Sequence, residues 1–347
     1  MSSEEIRIGI VGAGGIVRSR HIPGLKKIPG VRLIGVANRT LESSGRAAKE
    51  FGIEKVFPSW EELVRSDEID AVLIGTWPYM HCPVTLAALD AGKHVFCQAR
   101  MCMNYEEAVR MTEAARRSDR VTMLCPPPVG MVGDYRMRDL LDSGRIGEIR
   151  SIHLRAMSNQ LVDPNVPFHW RQDRDLSGYN TLTVGIYAEV IHRWFGQASR
   201  IAAVTRIFTE RRKTADGKET REVRIPDAVF VSAEMASGAL ANLQWSGVAP
   251  FPEPNLMEAH GSRGTLRYML DTDEIYCGCV GDEKMQRVPI PPDRVRHWTV
   301  EQDFIDAIRE GKPVSPSFED GLEYMEFTEA VIRSGEQKCS IDLPLAR

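Results

Sequence analysis

The chain has 347 residues, enough at ~150 residues per domain for two domains with separate cores. Hydrophobic residues make up 43% and charged residues 27%, an ordinary globular balance, and 44 Lys plus Arg against 48 Asp plus Glu leave a formal charge of −4, which argues against a nucleic-acid partner. No apolar run approaches the ~18 residues of a membrane span, the polar start Met1-Ser2-Ser3-Glu4-Glu5 does not read as a signal peptide, and seven scattered Cys read as a reducing compartment, most simply the cytoplasm.

The first 125 residues alternate strand and helix patterns. Strands are predicted at Ile6–Val11, Val31–Ala37, Val56, Ala71–Gly75, His94–Cys97 and Val121–Leu124. Helices are predicted from the turn at Gly12–Gly15 to about Lys27, and at Glu42–Phe51, Pro83–Ala91 and Tyr105–Ser118, with Ser59 as a further N-cap. Such alternation implies βαβ units and a doubly wound parallel sheet. Pro126-Pro127-Pro128 is read as a hinge, dividing the chain into domains 1–125 and 126–347. Beyond it one helix (Asp134–Asp142) precedes strand-like runs at Ile149–Met157, Ile201–Phe208, Ala228–Met235, Leu240–Trp245, Thr265–Leu270, Glu274–Cys277 and Gln286–Val288. Short turns between them predict an α+β domain with an open, mostly antiparallel sheet. A helical insert is expected over Tyr179–Phe195, a solvated hairpin loop over Arg211–Lys218, and closing helices near Val300–Glu310 and Phe318–Arg333.

Gly12-Ala13-Gly14-Gly15-Ile16-Val17 lies between a strand and a helix. The first Gly permits a tight turn, the second lets the backbone approach a diphosphate, and the helix N-terminus offers free N–H groups, so the segment predicts dinucleotide binding through Gly12, Gly14, Gly15 and Ile16. Val17 stands where Gly or Ala is usual, which predicts poorer helix–strand packing. After the second strand an acidic residue would bind a ribose 2′-hydroxyl, but this chain has Asn38-Arg39-Thr40. Arg39 suits a 2′-phosphate, with Asn38 and Thr40 as neutral donors, so NADP(H) is favoured and NAD(H) is the alternative.

These segments, with Thr76-Trp77-Pro78-Tyr79-Met80-His81, Ala91-Gly92-Lys93-His94-Val95-Phe96-Cys97, Arg145-Ile146-Gly147-Glu148-Ile149, Gly185-Ile186-Tyr187, Arg193-Trp194-Phe195-Gly196 and Glu258–Leu266, resemble the Gfo/Idh/MocA oxidoreductases over nearly the whole chain. The resemblance implies a Rossmann domain joined to a C-terminal α/β domain, and oxidation or reduction of a carbinol or ketone on a sugar, inositol or related polyol. It implies that Thr76, Trp77, Pro78, His81, Gln98 and Arg171 serve the cofactor, and that Thr183, Tyr179, His169 and Trp170 border the substrate.

The chain also departs from that family. Its Glu-Lys-Pro triplet, with a catalytic Lys, is here Gln98-Ala99-Arg100, and its Asp two residues before a Gly is here Thr183. Ser177-Gly178-Tyr179 replaces a Gly run, and Val190 replaces a polar residue. Ala99 cannot move a proton, and Arg100 keeps its charge, so Arg100 is read as an electrostatic aid. Tyr187 is left as the acid/base candidate, and a phenol of ordinary pKa ~10 would need a nearby positive charge to work at pH 7. Glu189 and His192, three apart on one helix, are read as a pair. Cys277-Gly278-Cys279 lacks a partner pair at metal spacing, so no metal is expected. Three functions fit: an NAD(P)(H)-dependent dehydrogenase or reductase; a lyase, epimerase or hydrolase that retains its nicotinamide; and a non-catalytic nucleotide- and ligand-binding protein. A homodimer or homotetramer through the C-terminal sheet is expected, with a small molecule as the other partner.

Overall fold

A computed structural model describes residues 5–125 and 131–346, so the proline run expected to be a hinge lies outside the described residues. The chain forms two compact units, one of 1–126 with Thr299–Met325, the other of 127–298 with Glu326–Arg347. The sequence division at 125/126 gave Thr299–Met325 to the second domain. Its contacts belong to the first, because its buried Phe304 and Glu301 pack on Phe96 and His21.

In the first unit, strands β1 (Ile6–Val11), β2 (Val31–Ala37), β3 (Lys55–Val56), β4 (Ala71–Ile74), β5 (His94–Cys97) and β6 (Thr122–Leu124) form one sheet in the order β3-β2-β1-β4-β5-β6. All pairings are parallel. The strand order reverses between β1 and β4, and in open α/β sheets ligands bind beyond the carboxyl ends of the strands at such a point. Residues Val17–His21 wind as a π-helical turn into α1 (Ile22–Leu25). Helices α2 (Leu41–Phe51), α3 (Trp60–Arg65), α4 (His81–Asp90) and α5 (Tyr105–Arg117) cross between strands. Their N-caps are sequence-encoded: Thr40, Ser59 and Asn104 each accept from the backbone three residues on. The β4 strand is buried throughout, as its unbroken apolar run requires in a sheet covered on both faces.

The second unit opens with α6 (Asp134–Asp142) and β7 (Ile149–Met157), then α7 (Arg174–Ser177), α8 (Val184–Phe195) and β8 (Ala198–Arg206). The small hairpin β9 (Arg211–Lys213) and β10 (Thr220–Glu222) leads to β11 (Ala228–Met235), β12 (Leu240–Ser246), β13 (Leu256–Gly261), β14 (Gly264–Met269), β15 (Glu274–Cys279) and β16 (Gln286–Val288). Helices α9 (Val300–Glu310) and α10 (Phe318–Gln337) and strand β17 (Ile341–Asp342) end the chain. The boundary between units falls within α10. Nine strands form one sheet, β16-β15-β14-β13-β7-β12-β11-β8-β17, antiparallel except for β7 beside β12. The inward side chains of β8 meet α10, where Gly335 lets Thr205 come close and Ser334 Oγ accepts from Ala203 N at 2.8 Å. On the opposite face Val204, Phe230 and Leu240 are 72%, 44% and 59% exposed.

Three sequence expectations are corrected here. The helical insert begins at Val184 rather than Tyr179, because Gly178 (φ 64°) and Leu182 (φ 43°) have left-handed backbone and break it. Arg211–Lys218 is a hairpin, but Arg212 is buried, its guanidinium donating to the carbonyls of Leu161 (2.8 Å), Asp163 (2.8 Å) and Val166 (3.1 Å). Glu189 pairs with Arg193 rather than His192, whose ring stands edge-on to Phe327 at 5.4 Å.

Candidate active site

The turn after β1 has the geometry a nucleotide cradle needs. Gly12 has φ 88°, and a Cβ there would lie 2.7 Å from both Thr76 Cγ2 and Thr76 N. A Cβ at Gly14 would come within 3.3 Å of the Gly75 carbonyl, whereas at Gly15 it would meet open space. Gly15 and Ile16 start the helix, so their N–H groups point out of its N-terminus. Val17 does not loosen the packing as expected. It is fully buried, and the small residue needed for close approach is Gly75, where a Cβ would lie 2.2 Å from Val17 Cγ2.

Asn38 braces this turn. Its Oδ1 accepts from Ala13 N (2.7 Å) and its Nδ2 donates to the Ser43 carbonyl (3.0 Å). Thr40 caps α2. Arg39 is exposed, with its guanidinium 5.8 Å from the centre of the Trp77 ring.

Beyond β4, Thr76 Oγ1 is buried with no hydrogen-bond partner among the described residues, while Pro78 starts a short 3-10 turn into α4. His81 is fully buried. Its Nδ1 faces the carbonyls of Arg100 (2.9 Å) and Met101 (3.2 Å), and its Nε2 that of Thr76 (3.0 Å). It therefore ties the loop after β4 to the loop after β5, and burial lowers its pKa. Gln98 N donates to the Ile74 carbonyl at 3.0 Å, and the Gln98 side chain meets His21. Arg100 is buried, and its charge favours the Tyr324 phenolate, although burial dominates and pushes that phenol well up. Tyr324 OH accepts from Met101 N at 2.5 Å.

In the second unit, Tyr187 lies one turn into α8 and is half-buried; its N–H donates to the Thr183 carbonyl at 3.0 Å. Burial, with the nearby charges of Asp271 and Asp273, pushes the Tyr187 phenol up to about 12. The charges acting on it within this unit are thus acidic, opposite in sign to the positive charge expected from the sequence. His169 caps a 3-10 turn at Trp170–Gln172, its Nδ1 accepting from Arg171 N at 3.2 Å. The Arg171 guanidinium lies 4.4 Å over the Trp170 ring, and Arg174 lies 4.5 Å over Tyr179. Arg224 binds Asp173 and Asp175, which ties down the chain just after Arg171. The sequence reading missed His21 and Glu301. His21 follows the Gly-rich turn and carried a signal; nothing local marks Glu301, 280 residues away.

Comparison with known proteins agrees with this architecture. Residues 6–125 match the oxidoreductase family with an NAD-binding Rossmann fold, and residues 135–267 match the GFO/IDH/MocA C-terminal domain. Levoglucosan dehydrogenase of Pseudarthrobacter phenanthrenivorans is 24% identical over 98% of this chain and 99% of its own length. The 1,5-anhydro-D-fructose reductase of Ensifer adhaerens is 30% identical over 75% of this chain and 74% of its own. A solved levoglucosan dehydrogenase, in complex with NADH and L-sorbose, superposes with a TM-score of 0.85 at 23% identity, covering 98% of this chain and 99% of the other. The chain belongs to the Gfo/Idh/MocA family of oxidoreductases.

Proposed function

We propose that the protein is an NAD(P)(H)-dependent oxidoreductase that interconverts a CH–OH group and a ketone on a sugar-like or cyclic polyol. The observation that carries the reading is the cradle at the β1/β4 crossover, with Gly12 against Thr76, space beyond Gly15 and an unpartnered Thr76 Oγ1. Relatives named for a dehydrogenase of levoglucosan and a reductase of anhydrofructose support the substrate class. In this reading the amides of Gly12, Gly14, Gly15 and Ile16 hold the diphosphate, and Thr76, Trp77, Pro78 and Gln98 border the nicotinamide half. When bound, the nicotinamide donates or accepts the hydride.

Tyr187 handles the substrate proton. A phenol held near 12 stays protonated at neutral pH and suits donation to a developing alkoxide. The reductive direction is therefore favoured. Arg100 supplies charge but no proton, Arg171 serves the coenzyme, and His169, Trp170, Tyr179 and Thr183 border the substrate. NADP(H) is favoured over NAD(H) because Arg39 is exposed and no acidic residue follows β2. His81 and Asn38 act through the backbone they brace, since the partners of their side chains are backbone atoms. The exposed sheet face bearing Val204, Phe230 and Leu240 supports association as a homodimer or homotetramer, and seven unpaired thiols support a reducing compartment such as the cytoplasm.

The test is a screen of cyclic polyols, aldoses and their keto forms, followed by nicotinamide absorbance. Net coenzyme oxidation with a keto sugar supports the reading, whereas product formed without net coenzyme change assigns the protein to the retained-nicotinamide class. Arg39→Ala is expected to weaken NADPH about tenfold or more and leave NADH within about twofold, the selectivity of one charged contact.

A further inference from the structure

Beneath the sheet rim, three buried polar side chains from distant parts of the chain form a line. His21 is 0% exposed, Glu301 on α9 4%, and Gln98, just past β5, 7%. His21 Nδ1 lies 2.5 Å from Glu301 Oε1, and its Nε2 meets Gln98 Nε2. The ring is fixed edge-on to Phe96 (centroids 5.0 Å), and Phe96 packs on Phe304 of α9. Gly24 makes room for the carboxylate, since a Cβ there would lie 2.8 Å from it.

The chemistry of the line has a direction. Gln98 meets the ring through its Nε2, an NH2 group that only donates, so His21 Nε2 is the acceptor there and Nδ1 carries the hydrogen shared with Glu301. Gln98 Oε1 is then the end turned away from His21. Gln98 follows a strand next to the β1/β4 crossover, and its backbone is bonded to Ile74 two residues before Thr76. That is the rim at which ligands of such sheets bind.

We propose that Glu301 and His21 are positioning residues that fix the carboxamide of Gln98 with its oxygen available to a hydroxyl donor of the coenzyme. This rests on the proposed coenzyme site. It gives Thr299–Met325, which returns to the first unit late in the chain, a role in holding the coenzyme. A carboxylate 280 positions from His21 thereby sets which way the Gln98 carboxamide faces, in place of the acidic side chain that the triplet lacks here.

The test is a double-mutant cycle on coenzyme affinity, with NADH and NADPH as probes and the full chain as the protein. Dissociation constants come from calorimetry, with melting temperature and circular dichroism recorded for each variant. Gln98→Ala is expected to weaken binding about 2–10-fold, the size of one hydrogen bond. Glu301→Met should weaken it by a similar factor in the wild-type background and by none in the Gln98→Ala background. Glu301→Gln, which still accepts from Nδ1–H, should restore affinity to within about twofold. Gln98→Glu leaves α9 and His21 untouched and sets an oxygen against the Nε2 lone pair, so it too should bind more weakly, and it keeps the test decisive where Glu301→Met does not fold. Additive losses from Glu301→Met and Gln98→Ala, or unimpaired binding by Gln98→Glu, overturn the positioning role while leaving the coenzyme site standing. A wild-type chain that takes up neither coenzyme overturns the site and the positioning role together.

Discussion

Tyr187 and His192 share a helix, and burial pushes both toward the neutral form with opposite consequences for pH. The phenol near 12 is a donor across the neutral range, so reduction should hold its rate from pH 7 to about 10. Tyr187→Phe should lower turnover by about 10²–10⁴-fold and leave coenzyme affinity unchanged; single-turnover kinetics with a coenzyme titration checks both, and unchanged turnover removes Tyr187 from the chemistry. His192 is pushed down to about 4 by burial. Its folded-state pKa is below the ordinary value near 6.5, so the unfolded chain binds the proton first as pH falls. Its contribution is present above pH 6.5 and lost on descent toward 4. At pH 5 the loss is about 2 kcal/mol. Replacing it with the apolar His192→Leu should flatten the fall in stability between pH 7 and 5, measured by urea unfolding. An equally steep fall in the variant would assign the acid sensitivity elsewhere.

At the scale of elements, the parallel half of the chain was legible in the sequence because each strand, turn and cap is locally encoded. Ile6–Val11, Val31–Ala37 and His94–Cys97 occur with the predicted bounds. Elements whose formation depends on distant partners were not legible. Strand β13 follows Phe251-Pro252-Glu253-Pro254, and its Leu-Met-Glu-Ala-His run is marked as a strand chiefly by its pairing with β7 and β14. The charged run Arg211-Arg212-Lys213 reads as solvated, yet Arg212 closes the loop 161–166 through three carbonyls, and Lys213 O accepts from Phe168 N at 2.7 Å. Arg212→Met keeps the length of the stem but leaves those carbonyls without their charged donor. It should cost about 2–4 kcal/mol and raise KM for substrate more than it lowers kcat, because the loop runs on through Phe168 into His169 and Trp170. Urea unfolding and steady-state kinetics check this. A loss under about 0.5 kcal/mol would mean that the buried guanidinium is not what orders the loop.

For the whole molecule, the candidate site was legible as a set of residue types but not as a set of roles. Asn38, expected as a donor to the coenzyme, has both ends of its amide on backbone atoms; His81, expected at the rim of the nicotinamide pocket, bonds the backbone of both rim loops; Glu301 carried no local mark and lies with His21 in the line beneath Gln98. The open sheet was legible from its antiparallel runs, and its exposed Val204 and Phe230 are cross-strand partners on β8 and β11. Phe230→Glu should shift the species seen in sedimentation velocity toward monomer with little change in the melting of the isolated protomer, whereas a wild-type chain that already sediments as monomer contradicts association through this face.

In the proposed function, the cradle formed by Gly12, Gly15 and Thr76 seats a dinucleotide. Calorimetric titration of the full chain with NADPH and NADH tests it most directly. The expected result is saturable one-to-one binding of at least one coenzyme, abolished or weakened by more than tenfold in Gly12→Val, whose Cβ would fall on Thr76. Binding of neither coenzyme by the folded wild-type chain, or equal binding by folded Gly12→Val, would contradict it.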